Sequence, residues 1–171
     1  MQIARVAART IIGGLFVGHG TQKLFGWFGG GGLDATSAGF DSMGLRPGRR
    51  NAIAAGAAEA GGGAALALGL AMPLTGAALI GTMITAIRTV HLKNGPWSSN
   101  GGYEYNLVLI AAVAALVEVG PGCLSLDAAR GSKRRGALWA LAAVAAGAAG
   151  SFAATELAKR ETAAHPLPVA A

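Results

Sequence analysis

Long apolar runs broken by short polar stretches set the rhythm of this chain. They cover about residues 3–25, 52–72, 77–92, 105–119 and 137–155. A helix needs about 20 mainly apolar residues to cross a hydrocarbon core of about 30 Å, so each run reads as a transmembrane helix. The fifth, nearly all Ala, Gly, Leu and Val, is the least hydrophobic. Inside the runs, Gly14 and Gly18 form a GxxxG step that permits close helix contact. Gly56, Glu59 and Gly63 share one face of the second run, small and polar enough to suit burial against other helices. Gly81, Thr85 and Arg88 line one side of the third. Residues 26–50 form the longest connection. Asp34 there is expected to cap a short interfacial helix that begins at Ala35 and ends at Gly44. Pro73–Gly76 reads as a bare turn. The expected fold is all-α: a transmembrane four-helix bundle over residues 1–125, a basic linker over 126–135, a fifth transmembrane helix over 136–156, and a disordered tail over 157–171 with Pro166 and Pro168.

An antiparallel arrangement of the first four runs brings their rare polar residues to one leaflet. His19, Gln22 and Lys23 end the first helix, Glu59 lies a few turns into the second, Arg88 and His91 end the third, and Tyr103, Glu104 and Asn106 open the fourth. Trp27, Trp97, Tyr103 and Tyr105 mark the same side as an aromatic belt would. These nine polar residues are the expected pocket. A carboxylate within an apolar bundle is costly unless paired, so Glu59 needs a partner, and Lys23, Arg88 and His91 are the candidates. An ion pair that only fixes helix register and a working polar pocket are both compatible with this pattern.

Composition narrows the class further. The 171 residues are 53% hydrophobic and only 13% charged, with a mean hydropathy of +0.49, whereas a soluble domain carries about 25% charge. The net charge of +6 is scattered over helix ends and loops, which suits lipid headgroups rather than nucleic acid. The N-terminal run is expected to be retained, because bulky and polar residues (His19 to Phe25) stand where a signal peptide would carry small cleavage residues. Cys123 is alone, which excludes an internal disulfide, a dithiol or a cysteine-held iron–sulfur cluster within the chain. His19 and His91 on two helices could in principle ligate a haem, but histidines near helix ends are more often satisfied interface residues. No His, Glu or Asp spacing here is a recognised metal motif, and no metal is expected. The basic residues divide too evenly between the two sides to set the orientation. The SKRR run ending at Arg135 favours its own side as cytoplasmic.

The stretch GHGTQKLFGWFGG, the later Glu59 with Gly61–Gly63, and the block HLKNGPWSSNGGYEYN together resemble the DoxX family of small bacterial membrane proteins. The resemblance covers about residues 1–125 and implies a four-helix transmembrane bundle in the bacterial cytoplasmic membrane. The positions matching its motifs are His19, Gly20, Lys23, Leu24, Glu59, His91, Asn94, Gly95, Tyr103, Glu104 and Asn106. The family is similar to the membrane subunit of a thiosulfate:quinone oxidoreductase. Members are linked to quinone or catechol stress and to a mycobacterial oxidoreductase assembly with a sulfurtransferase and a superoxide dismutase.

Two functions follow as expectations. The first is a multi-pass, quinone-linked redox or oxidative-stress subunit, in which the polar pocket holds the quinone and a carboxylate relays protons. Quinone is then the compatible cofactor and haem a disfavoured one. The electrons come from a soluble redox partner or from the substrate, since the chain carries no flavin or cluster motif. The second is a non-enzymatic membrane anchor or scaffold for a soluble oxidoreductase. The lipid bilayer is a partner in both, nucleic acid in neither. Whether the chain is itself an enzyme, which substrate it meets and whether it forms an oligomer stay open at this stage.

Overall fold

The computed structural model describes residues 2–132 and 134–164. Their regular structure is all helical: α1 (Gln2–Phe25), α2 (Gly32–Ser42), α3 (Gly48–Leu68), α4 (Met72–Ala86), α5 (Glu104–Val119), α6 (Leu126–Ala129) and α7 (Ala137–Ala164). α4 runs on through a wider π-helical turn, Ile87–His91, and a 3-10 turn, Leu92–Asn94. The all-α reading therefore holds. Met72–Asn94 and Ala137–Ala164 are each long and apolar enough to cross a membrane.

Glycine spacing decides how the long helices approach. Gly13 and Gly20 of α1, seven residues apart, face Gly56 and Gly63 of α3. A Cβ on Gly20 would fall 2.6 Å from the Gly56 carbonyl oxygen, and one on Gly63 would fall 2.8 Å from Phe16 Cβ. The two backbones thus touch, and any larger residue would separate them. Gly14 and Gly18, whose GxxxG step permits such a contact, face open space: a Cβ on either meets nothing within 4 Å. One residue is about 100° of helix rotation, so the small-residue stripe that counts is the one beside the GxxxG pattern. α4 sits at the centre, against α3, α5 and α7. α7 lies directly on it, with a Cβ on Gly81 only 3.1 Å from the Gly147 carbonyl oxygen. The core between these helices contains Phe16, Leu66, Met72, Ile80, Val113 and Val117.

Pro73–Gly76 is the first turn of α4 and not a connecting turn, in keeping with the tolerance for proline where no amide hydrogen is needed. The chain reverses over Gly69–Ala71, both ends of which have left-handed backbone (φ 64° and 47°). The amides of Ala71 and Met72 donate to the buried Asp127 carboxylate at 2.8 and 3.0 Å. Asp127 belongs to α6, inside the stretch read as a basic linker. Beside it the buried Arg9 guanidinium donates to the carbonyls of Pro121 and Leu124, the latter at 2.7 Å. This clasp pins the segment after α5 to α1 and to the α3–α4 corner.

At the opposite end, α2 begins at Gly32, and Asp34 does not cap it: its carboxylate meets Arg49 at 3.3 Å on the surface. The side chain of Asp41, near the end of α2, instead accepts from the Gly48 amide at 2.7 Å, the first amide of α3. α7 extends through residues 157–164, where disorder was expected. The reason is a set of contacts invisible to local composition. Thr162 Oγ1 accepts from the Arg46 amide at 3.0 Å and donates to the Gly44 carbonyl at 2.8 Å, while Arg50 and Glu161 pair at 2.7 Å. Pro166 and Pro168 lie outside the described residues. Large apolar side chains also cover the outer surface, among them Ile3, Ile11, Val108, Leu138 and Leu141.

Candidate functional site

Four helices, with Lys23 of α1, line a partly open cavity of about 670 Å³. α2 closes one end, α3 and α7 form facing walls, and α4 runs along the floor from Leu74 to Val90. Those sixteen residue steps make the cavity about 24 Å long at 1.5 Å per residue. Its composition changes along that length. Toward the start of α4 it is lined by Leu74, Ala77, Ala78 and Ala146. From mid-length toward α2 it acquires Lys23, Thr36, Asn51, Glu59, Thr89 and Thr155, set among the apolar Phe40, Met43, Leu45 and Val90. The Leu74 end is therefore hydrocarbon, and hydrogen-bonding groups appear from mid-length onward.

The polar part is built around one ion pair. Lys23 Nζ donates to Glu59 Oε2 at 2.6 Å, with the Glu59 side chain 5% exposed and that of Lys23 31% exposed. The α1–α3 contact at Gly20 and Gly56 is what brings these two side chains within reach. Among the candidate partners for Glu59, the structure selects Lys23. An ammonium has three donors; the pair uses one, leaving others for the cavity.

The remaining candidate residues occupy other surroundings. His19 Nδ1 donates to the Gln22 amide oxygen at 3.1 Å, and Gln22 Nε2 donates to the Phe28 carbonyl at 3.4 Å. Both lie outside the cavity lining. Arg88 turns toward α7. Its guanidinium donates to Ser151 Oγ at 3.2 Å and Thr155 Oγ1 at 3.1 Å, and lies 3.6 Å from the centre of the Phe152 ring. His91 Nδ1 donates to the Gly101 carbonyl at 2.7 Å. Glu104 accepts from the Ser98 amide at 2.8 Å, which holds its carboxyl below the usual range. Half-buried Tyr103 donates its amide to the Gly95 carbonyl at 3.2 Å. These three order the loop between α4 and α5. Asn106 is buried and donates to Met83 Sδ at 3.4 Å. Of the nine candidates, only Lys23 and Glu59 line the cavity. Among the described residues no group of three or more His, Cys, Asp or Glu is arranged to hold a metal ion.

The sequence placed Thr85 on a helix face but not in a pocket, and left out the other hydroxyls: Thr82, Thr85, Thr89, Ser151 and Thr155 all line the cavity. A signal was present. Gly147, Ser151 and Thr155 are spaced by four in a helix otherwise made largely of Ala and Gly, and so share a face. That face repeats the pattern of Gly81, Thr85 and Arg88 on α4.

No curated protein and no solved structure matches this chain. The family model described as DoxX matches residues 4–92. That match covers α1 to α4, the closely packed glycine faces and the Lys23–Glu59 pair, and just over half of the chain; the protein belongs to the DoxX family of membrane proteins.

Proposed function

We propose that this protein is a multi-pass component of the bacterial cytoplasmic membrane that binds a quinone-class lipid in the α2–α3–α4–α7 cavity, as the membrane subunit of a redox system. The observation that carries the reading is one elongated, mainly apolar cavity with the hydrogen-bonding Lys23–Glu59 pair at about mid-length. A volume of about 670 Å³ falls within the range of about 300–1,000 Å³ typical of small-molecule pockets, enough for a substituted ring and the first units of an apolar tail. The Lys23–Glu59 pair is neutral as a whole, so it suits a neutral acceptor oxygen better than a second buried charge.

The membrane setting has its own support. α1, α3 and α7 have 24, 21 and 28 residues, or about 36, 32 and 42 Å, and the outer faces carry exposed apolar side chains that water would penalise. Phe25, Trp27 and Phe28 stand exposed together where α1 ends, as interfacial aromatics do. A bound quinone would supply the redox chemistry. The chain's own residues bind and orient the ring, exclude bulk water along the cavity, and place the Glu59 carboxylate where it can exchange a proton. Electrons come from a partner or a second substrate.

The test is direct. The protein is purified in detergent, extracted for lipids, and the extract analysed for quinone by absorbance and mass. A short-tailed benzoquinone is then titrated into the lipid-stripped protein. Co-purified quinone and saturable binding weakened by Lys23→Met support the reading. A quinone-free protein that binds none, yet retains a soluble partner, overturns it in favour of a membrane anchor.

A further inference from the structure

The cavity has a second polar anchor, on the wall opposite the ion pair. Thr85 of α4 and Ser151 and Thr155 of α7 line it. Thr85 Oγ1 and Ser151 Oγ are 2.9 Å apart. Arg88, itself outside the lining, stands behind them and donates to both Ser151 Oγ and Thr155 Oγ1. Ser151 is 2% exposed and Thr155 3%. A cation hydrogen-bonded to a hydroxyl oxygen draws density from it and makes its proton a better donor. Thr155 gives its proton to carbonyls of its own helix, at 3.0 Å to Ser151 and 3.1 Å to Phe152. Thr85 can give its own to the Gly81 carbonyl at 2.9 Å or to Ser151. When Thr85 donates to Ser151, the Ser151 proton is free for a ligand.

Helix registers place the two anchors close in depth. A Cβ on Gly62 would meet Leu79, and one on Gly147 would meet Gly81. Counting from these contacts, Glu59 is level with about Thr82 and Ser151 with about Thr85, roughly one helical turn apart along α4. Lys23 reaches Glu59 from the α1–α3 side, while Ser151 belongs to α7. The family match ends at residue 92, so the α7 half of this wall lies outside it.

We infer that Ser151, activated by Arg88 and set by Thr85, is a specificity-determining residue that recognises a second oxygen of the ligand, so that the site selects a ring with two carbonyls on opposite edges over a ring with one. This rests on the cavity being the quinone site. It adds that Lys23 holds one carbonyl and Ser151 the other. An uncharged dione fits because the charges of Lys23 and Glu59 offset one another and Arg88 is screened from the lumen by hydroxyls.

The experiment uses the full chain in detergent with two probes of equal tail length, a para-benzoquinone and the matching ring with a single ketone. Wild type, Ser151→Ala and Thr155→Val are titrated with each, and unfolding curves check that both variants fold. The expected result is that Ser151→Ala weakens quinone binding by about three- to tenfold, the size of one neutral hydrogen bond, and leaves the single-ketone probe within about twofold. Thr155→Val keeps the shape of the wall, removes one of the Arg88 contacts, and should weaken the quinone by a smaller factor. If Ser151→Ala affects both probes equally, or neither, Ser151 is not a carbonyl anchor, although the cavity reading stands. If wild type binds neither probe, the cavity reading itself fails and this inference falls with it.

Discussion

Replacing Lys23 by Met tests the ion pair in the polar part of the cavity. The change removes one charge and leaves the Glu59 carboxylate, 5% exposed, without its partner at 2.6 Å. Breaking a buried pair in this way costs about 3–5 kcal/mol. Lys23 is 31% exposed and opens onto the cavity, so water can reach the orphaned carboxylate, and the expected loss falls to about 2–4 kcal/mol. For a chain of this size each kcal/mol moves the melting temperature by about 2–4 °C. The single variant should therefore melt roughly 5–15 °C below wild type in detergent, read by circular dichroism at neutral pH. The companion is the double variant Lys23→Met/Glu59→Leu. It removes both charges at similar volume, a change that is often close to neutral. It should recover most of the lost stability, with a coupling energy of about 2 kcal/mol or more between the two sites. A Lys23→Met protein that melts with wild type would refute the reasoning. So would a double variant no more stable than the single, because either result would mean that the contact carries no energy.

The remaining expectations concern the scaffold. Gly20→Val drives a branched side chain into the α3 backbone, 2.6 Å from the Gly56 carbonyl for the first carbon alone; it should abolish monodisperse protein on size exclusion, whereas Gly18→Ala, which meets nothing, should be silent. Asp127→Ala leaves the Ala71 and Met72 amides without their acceptor and should lower stability by about 2–6 kcal/mol, at roughly 1–3 kcal/mol per orphaned donor, seen as faster hydrogen exchange at the start of α4. The carboxyl of Glu104, the first residue of α5, is held below its usual range by the Ser98 amide of the preceding loop. A lowered carboxylate stabilises the fold above its unfolded value and loses that effect as pH falls through the folded one. Loop order, followed by Trp97 fluorescence, should thus decline on acidification below the normal carboxylate range and stay flat in Glu104→Gln.

Much of this architecture was legible in the order of residues. Gly56, Glu59 and Gly63 announced a buried face by spacing alone, and Glu59 demanded a cation that Lys23 supplies. Gly81, Thr85 and Arg88 announced another face, but not its partner, because α7 reads only as a weakly hydrophobic Ala-rich segment. Two kinds of error have physical causes. Gly14–Gly18 was the conspicuous motif, yet helix phase turned Gly13 and Gly20 inward, and phase depends on packing that no local pattern carries. The polar residues were gathered into one chamber because they share a depth. Depth does not fix azimuth: Arg88 points to α7, His91 and Glu104 satisfy their own loop, and only Lys23 and Glu59 reach the lumen. A cavity whose walls come from residues more than 100 positions apart, such as Asn51 and Thr155, leaves no mark on either segment alone.

The Asp127 clasp bears on how the chain is made. Synthesis runs from the N-terminus, so Met72 is polymerised 55 residues before the carboxylate that its amide binds. Until then the leading amides of α4 have no acceptor, and in hydrocarbon each such group costs several kcal/mol. The start of α4 can therefore reach its final hydrogen-bonding only once α6 has been made and has docked. A transcript truncated between residues 92 and 127 would encode every residue of the family match, yet yield a helix whose leading amides lack their acceptor, a ready substrate for membrane quality control.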